Sequence, residues 1–253
     1  MDIKKSFSRV QRTETVSRVL GYLRGASDVL PMVFDGNRCY GFVNERLLIS
    51  TRIDTNRQIK GFDVRVRTVS DSNSVSEIAQ EMLRSYCPHA PYGKNDREES
   101  IEGYIEADTV SRELLKEKTI GRNAGSIAKS VVTMRKNDSV GKAINLLKNF
   151  RAVPIVDDED RLYGCIEQRG NLIELAMDRE RPRQGTYMST NEEGIFKRSV
   201  IQYSTKLTPQ CDAGSALNEE LMETIDTYGY CFVCTDGRPS GLITPLDILH
   251  ALV

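Results

Sequence analysis

Long apolar runs are missing from this chain. None approaches the roughly 18–20 residues that a helix needs to cross a bilayer, so no membrane span is expected. Net charge is nearly missing too: 35 basic side chains face 36 acidic ones, a balance of −1. That balance offers no general attraction to nucleic acid or to acidic lipid, and no stripe interleaves basic with aromatic residues, so a nucleic-acid partner is not expected. Histidine is scarce, with only His89 and His250, and His250 falls near the end of the last predicted helix, where a surface or packing role suffices. There is no Ser-His-Asp or Cys-His arrangement with a local signature, no metal-ligand cluster, and no phosphate-binding G-x-x-x-x-G-K-S/T loop or G-x-G-x-x-G turn. The chain is therefore not expected to be an enzyme, and no metal or catalytic cofactor is expected.

The first residues, Met1-Asp2-Ile3-Lys4-Lys5, lack the apolar core of a secretory signal. Six cysteines, at 39, 87, 165, 211, 231 and 234, lie mostly inside strand-like runs. They read as buried, reduced thiols in a cytoplasmic protein. Cys231 and Cys234 have C-x-x-C spacing, but residues three apart on a strand point to opposite faces, and no second pair follows them. Core thiols are the better reading.

What the chain does have is repetition. Short apolar runs end at Gly41, Gly103, Gly164 and Gly241, each followed by an apolar pair: Phe42-Val43, Tyr104-Ile105, Cys165-Ile166 and Leu242-Ile243. Pro31, Pro91 and Pro154 precede the first three glycines, and Cys231 stands in the proline's place before the fourth. The glycines recur about every 60 to 80 residues, and a period of this size marks one supersecondary module used four times.

The third module is the clearest. Ser130 to Met134 is β-branched and strand-like, and Asp138 or Ser139 is placed to cap a helix carrying Val140, Ala143, Ile144, Leu146 and Leu147. Val153 to Val156 and Leu162 to Ile166 then form a hairpin across the polar turn Asp157 to Asp160, and a second helix is expected from about Asn171 to Met177. In the first module Val16, Val19, Leu20 and Leu23 mark the helix, with strands at Leu30 to Phe34 and Cys39 to Val43. The second reads as a strand from Val64 to Val69, a helix through Val75, Ile78, Ala79, Met82 and Leu83, and a hairpin with a long charged loop from Gly93 to Ser100. In the fourth, Ala216, Leu217, Leu221 and Ile225 share a helix, followed by strands at Tyr230 to Cys234 and Ser240 to Ile243.

A helix-and-sheet unit of about 50 residues leaves a sheet face and its edges bare, so units should pair. Two domains are expected. Residues 1–118 would hold motifs at about 6–55 and 62–118; residues 123–253 would hold motifs at about 124–177 and 200–253. Asp178 to Glu193, with Arg179, Arg181, Arg183, Pro182 and Gly185, is a charged connector; its interleaved acids favour a solvated segment over a basic patch.

This pattern resembles the CBS-domain family, named from cystathionine β-synthase, whose β-α-β-β-α motifs work in pairs called Bateman modules. The resemblance is carried by Val153-Pro154-Ile155-Val156-Asp157 with Tyr163-Gly164-Cys165-Ile166, and by Gly241-Leu242-Ile243-Thr244-Pro245-Leu246-Asp247. It implies an α/β (α+β) fold of four motifs in two modules, built of small mixed sheets packed with helices. It also implies a regulatory protein that holds AMP, ADP, ATP or an S-adenosyl compound such as S-adenosylmethionine between paired motifs and signals to a partner protein. The family's ligand residues follow a Gly-apolar-apolar-Thr/Ser-x-x-Asp pattern, with the aspartate on the ribose hydroxyls and the hydroxyl side chain toward phosphate. Only the fourth motif keeps it whole, as Gly241, Thr244 and Asp247. The matching positions hold Asn44 and Leu47 in the first motif, Glu106 and Thr109 in the second (with Asp108 one residue out of step), and Glu167 and Gly170 in the third. A glutamate there would repel a phosphate by about 1–4 kcal/mol at about 4 Å. One competent site is implied, in the carboxy-terminal pair, with Asn44 and Asp108 as weaker candidates.

Other readings stay open. Thr244 and Asp247 also suit a helix cap and a first-turn acid. Tyr203, Tyr228 and Tyr230 suit either a purine-stacking wall or ordinary packing, with Tyr230 the named ligand candidate. A scaffold of repeats without a ligand is the alternative function. In the family, two modules often associate as a disc, which four motifs would complete within one chain; a homodimer is the other arrangement open to it.

Overall fold

The computed structural model describes residues 1–25, 29–50, 56–117, 121–168 and 196–253. The first unit runs β1 (Phe7–Gln11), α1 (Val16–Gly25), β2 (Leu30–Asp35), β3 (Arg38–Val43), α2 (Glu45–Ser50). The second runs β4 (Asp63–Arg65), α3 (Val75–Ser85), β5 (His89–Gly93), β6 (Ile101–Glu106), α4 (Ala107–Glu117). In the third are α5 (Ala124–Ile127), β7 (Lys129–Ser130), β8 (Met134–Arg135), α6 (Val140–Leu147), β9 (Ala152–Val156) and β10 (Leu162–Glu167). The fourth has β11 (Gln210–Asp212), α7 (Glu219–Tyr228), β12 (Cys231–Thr235), β13 (Arg238–Ile243) and α8 (Pro245–Leu252). This is the expected α/β architecture of small mixed sheets and helices. The expected helix at Asn171 to Met177, the arginine-bearing connector and Gly170 lie outside the described residues.

Local sequence accounts for most of these elements. Ser74 and Glu77 close a capping box at the start of α3, and Ser139 accepts from the Lys142 amide at the start of α6, each satisfying amides that a helix start leaves bare. The hairpins β2–β3, β5–β6, β9–β10 and β12–β13 are antiparallel, each with a register shift near its turn. In each of them the first strand is almost wholly buried. Full burial of a Val, Leu, Ile or Phe there contributes about 1.5–3 kcal/mol.

Two expected strands differ from what forms. Val64 to Val69 splits into β4, paired with β3, and a single parallel bridge from Val69 to Tyr92. Ser130 to Met134 splits likewise into β7 on β13 and β8 on β9. The leading segment of a unit serves two sheets, first the returning strand of the neighbouring unit and then its own hairpin. Ala216 and Leu217 also fall outside α7. Asn218 caps that helix through the Leu221 amide, while Ala216 bridges to Asn123.

The exchange is reciprocal. In the amino-terminal half, β4 of the second unit joins β3 of the first, and Lys4 of the first pairs with Tyr104 of the second. In the carboxy-terminal half, β7 of the third unit joins β13 of the fourth, and Thr205 pairs with Cys165. The four repeat glycines sit where these crossings occur. A Cβ on Gly41 would strike the Val64 carbonyl, and one on Gly103 the Lys4 carbonyl. On Gly164 it would come 2.6 Å from the Thr205 oxygen, and on Gly241 2.7 Å from the Ala128 Cβ. Gly41 also has φ +148, which disfavours any side chain. The glycines recur because a neighbouring backbone lies against each of them.

The two halves share a core. Helices α3, α4, α7 and α8 pack on one another, joining Val110 and Leu114 of the second unit with Leu221, Ile225, Ile248 and Leu249 of the fourth in one buried cluster. The first and third units meet more lightly, through α2 and α6 and the ion pair Arg151–Glu45 at 3.6 Å.

Candidate functional site

The residues of the fourth-unit pattern lie where β13 gives way to α8. Thr244 is the helix N-cap, with extended backbone, Pro245 follows at the first helical position, and Asp247 sits on the first turn. Proline suits that position because its missing N–H would have had no partner there. Asp247 is only 6% exposed. Its Oδ2 accepts the Thr244 amide at 2.8 Å and the Thr244 hydroxyl at 2.6 Å, forming a capping box. Its Oδ1 lies 2.6 Å from the Lys129 ammonium, an ion pair that stands off the line of a well-aligned hydrogen bond.

Lys129 belongs to β7, the third-unit segment laid on β13 beside Gly241. The capping geometry and the crossing strand therefore meet at one carboxylate. Burial works against the Lys129 charge, but the close carboxylate of Asp247, helped by Tyr86, outweighs it, and the lysine titrates above its ordinary range. Its ammonium also stands 3.4 Å from the Tyr86 hydroxyl and 5.7 Å from that ring's centroid. Tyr86 is 59% exposed and ends α3 in the left-handed region at φ 54. The Arg46 guanidinium lies 5.5 Å from the centroid of the same Tyr86 ring. Arg46, Tyr86, Lys129 and Asp247 come from the first, second, third and fourth units in turn. No local motif marks Arg46, Tyr86 or Lys129; only the crossing of units selects them.

The remaining candidates are dispersed. Gly241 is accounted for by the approach of Ala128 and Lys129. Tyr230 is 0% exposed, its ring edge-on to Phe232 at 5.4 Å and its hydroxyl 3.1 Å from Cys165 Sγ. Just ahead of β12, it packs in the core with Ala152 and Cys165 of one sheet and Phe232 and Leu242 of the other. Tyr203 accepts from Arg198 at 3.0 Å, and Tyr228 packs partly buried beside the Tyr230 cluster. Asn44 caps α2, its Oδ1 3.4 Å from the Leu47 amide. Glu167 is raised by burial, against the pull of Arg151.

Asp108, 8% exposed in the first turn of α4, faces Asp226 of α7 rather than a strand crossing. One carboxylate oxygen from each of Glu106, Asp108 and Asp226 lies within 4.8 Å of the others. Asp108 and Asp226 border a cavity of about 460 Å³ walled also by Lys4, Arg112 and Met222.

The six cysteines are free, five buried and Cys211 half-buried. Desolvation pushes the Cys39, Cys87 and Cys165 thiols up to about 12. Among the described residues no helix is long and apolar enough to cross a membrane.

The family model for the CBS domain matches residues 124–169. Protein MJ1225 from Methanocaldococcus jannaschii, proposed as an archaeal homolog of g-AMPK, superposes with a TM-score of 0.77 at 17% identity, covering 99% of this chain and 97% of that one. An uncharacterized conserved protein from Pyrococcus horikoshii superposes with a TM-score of 0.60 at 16% identity over the same shares. No curated protein matches. A CBS domain is thus matched within the third unit, and the fold is shared end to end with these structures.

Proposed function

We propose that this protein is a regulatory sensor that binds an adenosine-containing ligand beside Asp247 and reports its occupancy to a partner protein. The observation that carries the reading is the position of Asp247. It is a nearly buried carboxylate at a helix start, held across a unit boundary by a lysine of the crossing strand. A ribose offers two vicinal hydroxyls that can replace the lysine's contact with Asp247, and such charge-assisted hydrogen bonds are worth about 1.5–3 kcal/mol each. The released ammonium of Lys129 and the positive end of α8 then suit a phosphate. Tyr86 supplies an exposed ring nearby. Binding would change how β7 sits on β13, and the ligand's differential affinity for the two arrangements would set the size of the response.

On this reading the functional division is two modules, 1–118 and 123–253, with the ligand in the second. The reading describes a binding protein rather than an enzyme. MJ1225, proposed as a homolog of g-AMPK, supports a nucleotide as the ligand class. Calorimetry of the purified chain with AMP, ADP, ATP and S-adenosylmethionine tests it: a Kd below about 1 mM for any of them is expected, and none would overturn it.

The second reading, a scaffold with no small ligand, is favoured by one observation. Both oxygens of Asp247 are already engaged within the chain, by Thr244 and by Lys129. It expects an unchanged Tm with every one of these compounds.

A further inference from the structure

The second and fourth units meet through α4 and α7, and their contact holds a charge arrangement that Asp247 does not explain. Asp108 enters from α4, buried, and one of its carboxylate oxygens lies within 4.8 Å of one from Asp226 of α7. Glu106, at the end of β6, brings a third carboxylate within 4.8 Å. Three carboxylates at this separation cannot all ionise cheaply, since like charges about 4 Å apart repel by roughly 1–4 kcal/mol. Two cations relieve the rim of the group. Arg112 stands 3.4 Å from Asp226, and Lys4, from the leading segment of the first unit, stands 4.0 Å from Glu106. His89 of β5 lies 3.9 Å from the other oxygen of Glu106. Across the cavity are Asp2, Glu113, Lys116 and Glu219. Asp108 alone of the three acids is buried, and a hydrogen bond between two carboxyl groups needs a proton on one of them. Arg112 pairs with Asp226, so the proton is most cheaply held by Asp108.

We propose that a proton shared by Asp108 and Asp226 acts as a removable bond between the second and fourth units, so that its loss loosens the packing of α4 on α7. The cavity beside the pair gives the proton a route to solvent. Burial first, then the hydrogen bond and charge of Asp226, then Glu106, push the Asp108 carboxyl up to about 7. In the unfolded chain an aspartate titrates near about 4. Between these values the folded chain holds a proton that the unfolded chain has lost. The contribution is fully present below the unfolded value and is lost as pH rises through the folded one. The inference does not depend on any ligand at Asp247, since neither residue of the pair belongs to that site.

The test is urea unfolding of the full chain from pH 5 to 8, for wild type, D108N and D226N. Over pH 5 to 7 the wild-type folding constant should fall up to about tenfold per pH unit more steeply than that of D108N, which keeps a hydrogen bond without the proton. D108N should also be the more stable of the two at pH 8. D226N removes the like charge and should end the decline at a lower pH, which keeps the idea testable if D108N does not fold. His89 is present in every variant, so a slope lost in D108N belongs to the carboxyl. Hydrogen exchange, corrected for its intrinsic pH dependence, should quicken in α4 and α7 relative to α6 as pH rises in wild type, and not in D108N. Parallel stability curves for wild type and D108N, or exchange that quickens equally in all helices, would overturn the proposal.

Discussion

The Lys129 ammonium sits 2.6 Å from Asp247 Oδ1, joining the leading strand of the third unit to the last helix of the fourth. One carboxylate thereby caps α8 and ties down β7. Contacts on a nearly buried charge are asymmetric: removing one partner exposes the full cost of the other.

Replacing Asp247 by alanine therefore acts twice. The lost cap should lower stability by about 0.5–2 kcal/mol. In the sensor reading, the same change should weaken adenosine-ligand binding by roughly ten- to a hundredfold. Urea unfolding and calorimetry on one preparation read the two effects separately, and weakened stability with unaltered binding would leave Asp247 a cap alone.

Lys129→Ala leaves the buried Asp247 oxygen without its cation. Stability should fall by more than the about 0–1 kcal/mol typical of an exposed ion pair. Lys129→Arg should restore part of the loss. A midpoint unchanged in K129A would mean that the pair contributes nothing.

Glycine substitutions should divide by what lies beside them. Gly164→Ala places a methyl 2.6 Å from the Thr205 carbonyl, whereas Gly21, exposed in α1, has nothing within 4 Å. G164A should destabilise by at least about 1–3 kcal/mol, as overpacking against backbone does. G21A should stabilise by about 0.5–1 kcal/mol, as alanine does in a helix. Thermal melts of both variants decide it, and equal shifts would refute the crossing-strand account of the repeat glycines.

Thiol titration of the native protein should show one fast cysteine. Cys211 is half-buried, while the other five are enclosed, with Cys234 raised to about 11 and Cys39, Cys87 and Cys165 to about 12, chiefly by desolvation. Reaction requires the thiolate and access to it. Two or more thiols reacting at the first rate would contradict this burial.

How much was legible beforehand follows from the range of each interaction. Ser139 reads as a cap and is one, because the capping bond spans three residues and needs no distant partner. Thr244 and Asp247 read equally as cap or ligand pair, and their capping bonds are the ones seen. Val64 to Val69 reads as one strand, since β-branched residues suit any pleated surface. Its division between two sheets depends on the bare edge of β3, which no local pattern announces. Tyr230 suits a cleft wall by residue type, yet lies in the core because the pairing of the third and fourth units encloses it. Asp108 stands out in the sequence only as one residue out of step with a pattern; its meeting with Asp226 needs the second and fourth units side by side.

The amino-acid sequence by itself determined the quadruplicate unit with its hairpins and caps, because those follow from periodicity and turn chemistry within a few residues. Only the tertiary structure decided which units exchange strands, why a glycine stands at each crossing, and which distant charge faces Asp247 and Asp108. Those choices come from covering open sheet edges and apolar helix faces, and a free edge accepts whichever segment the rest of the chain delivers to it.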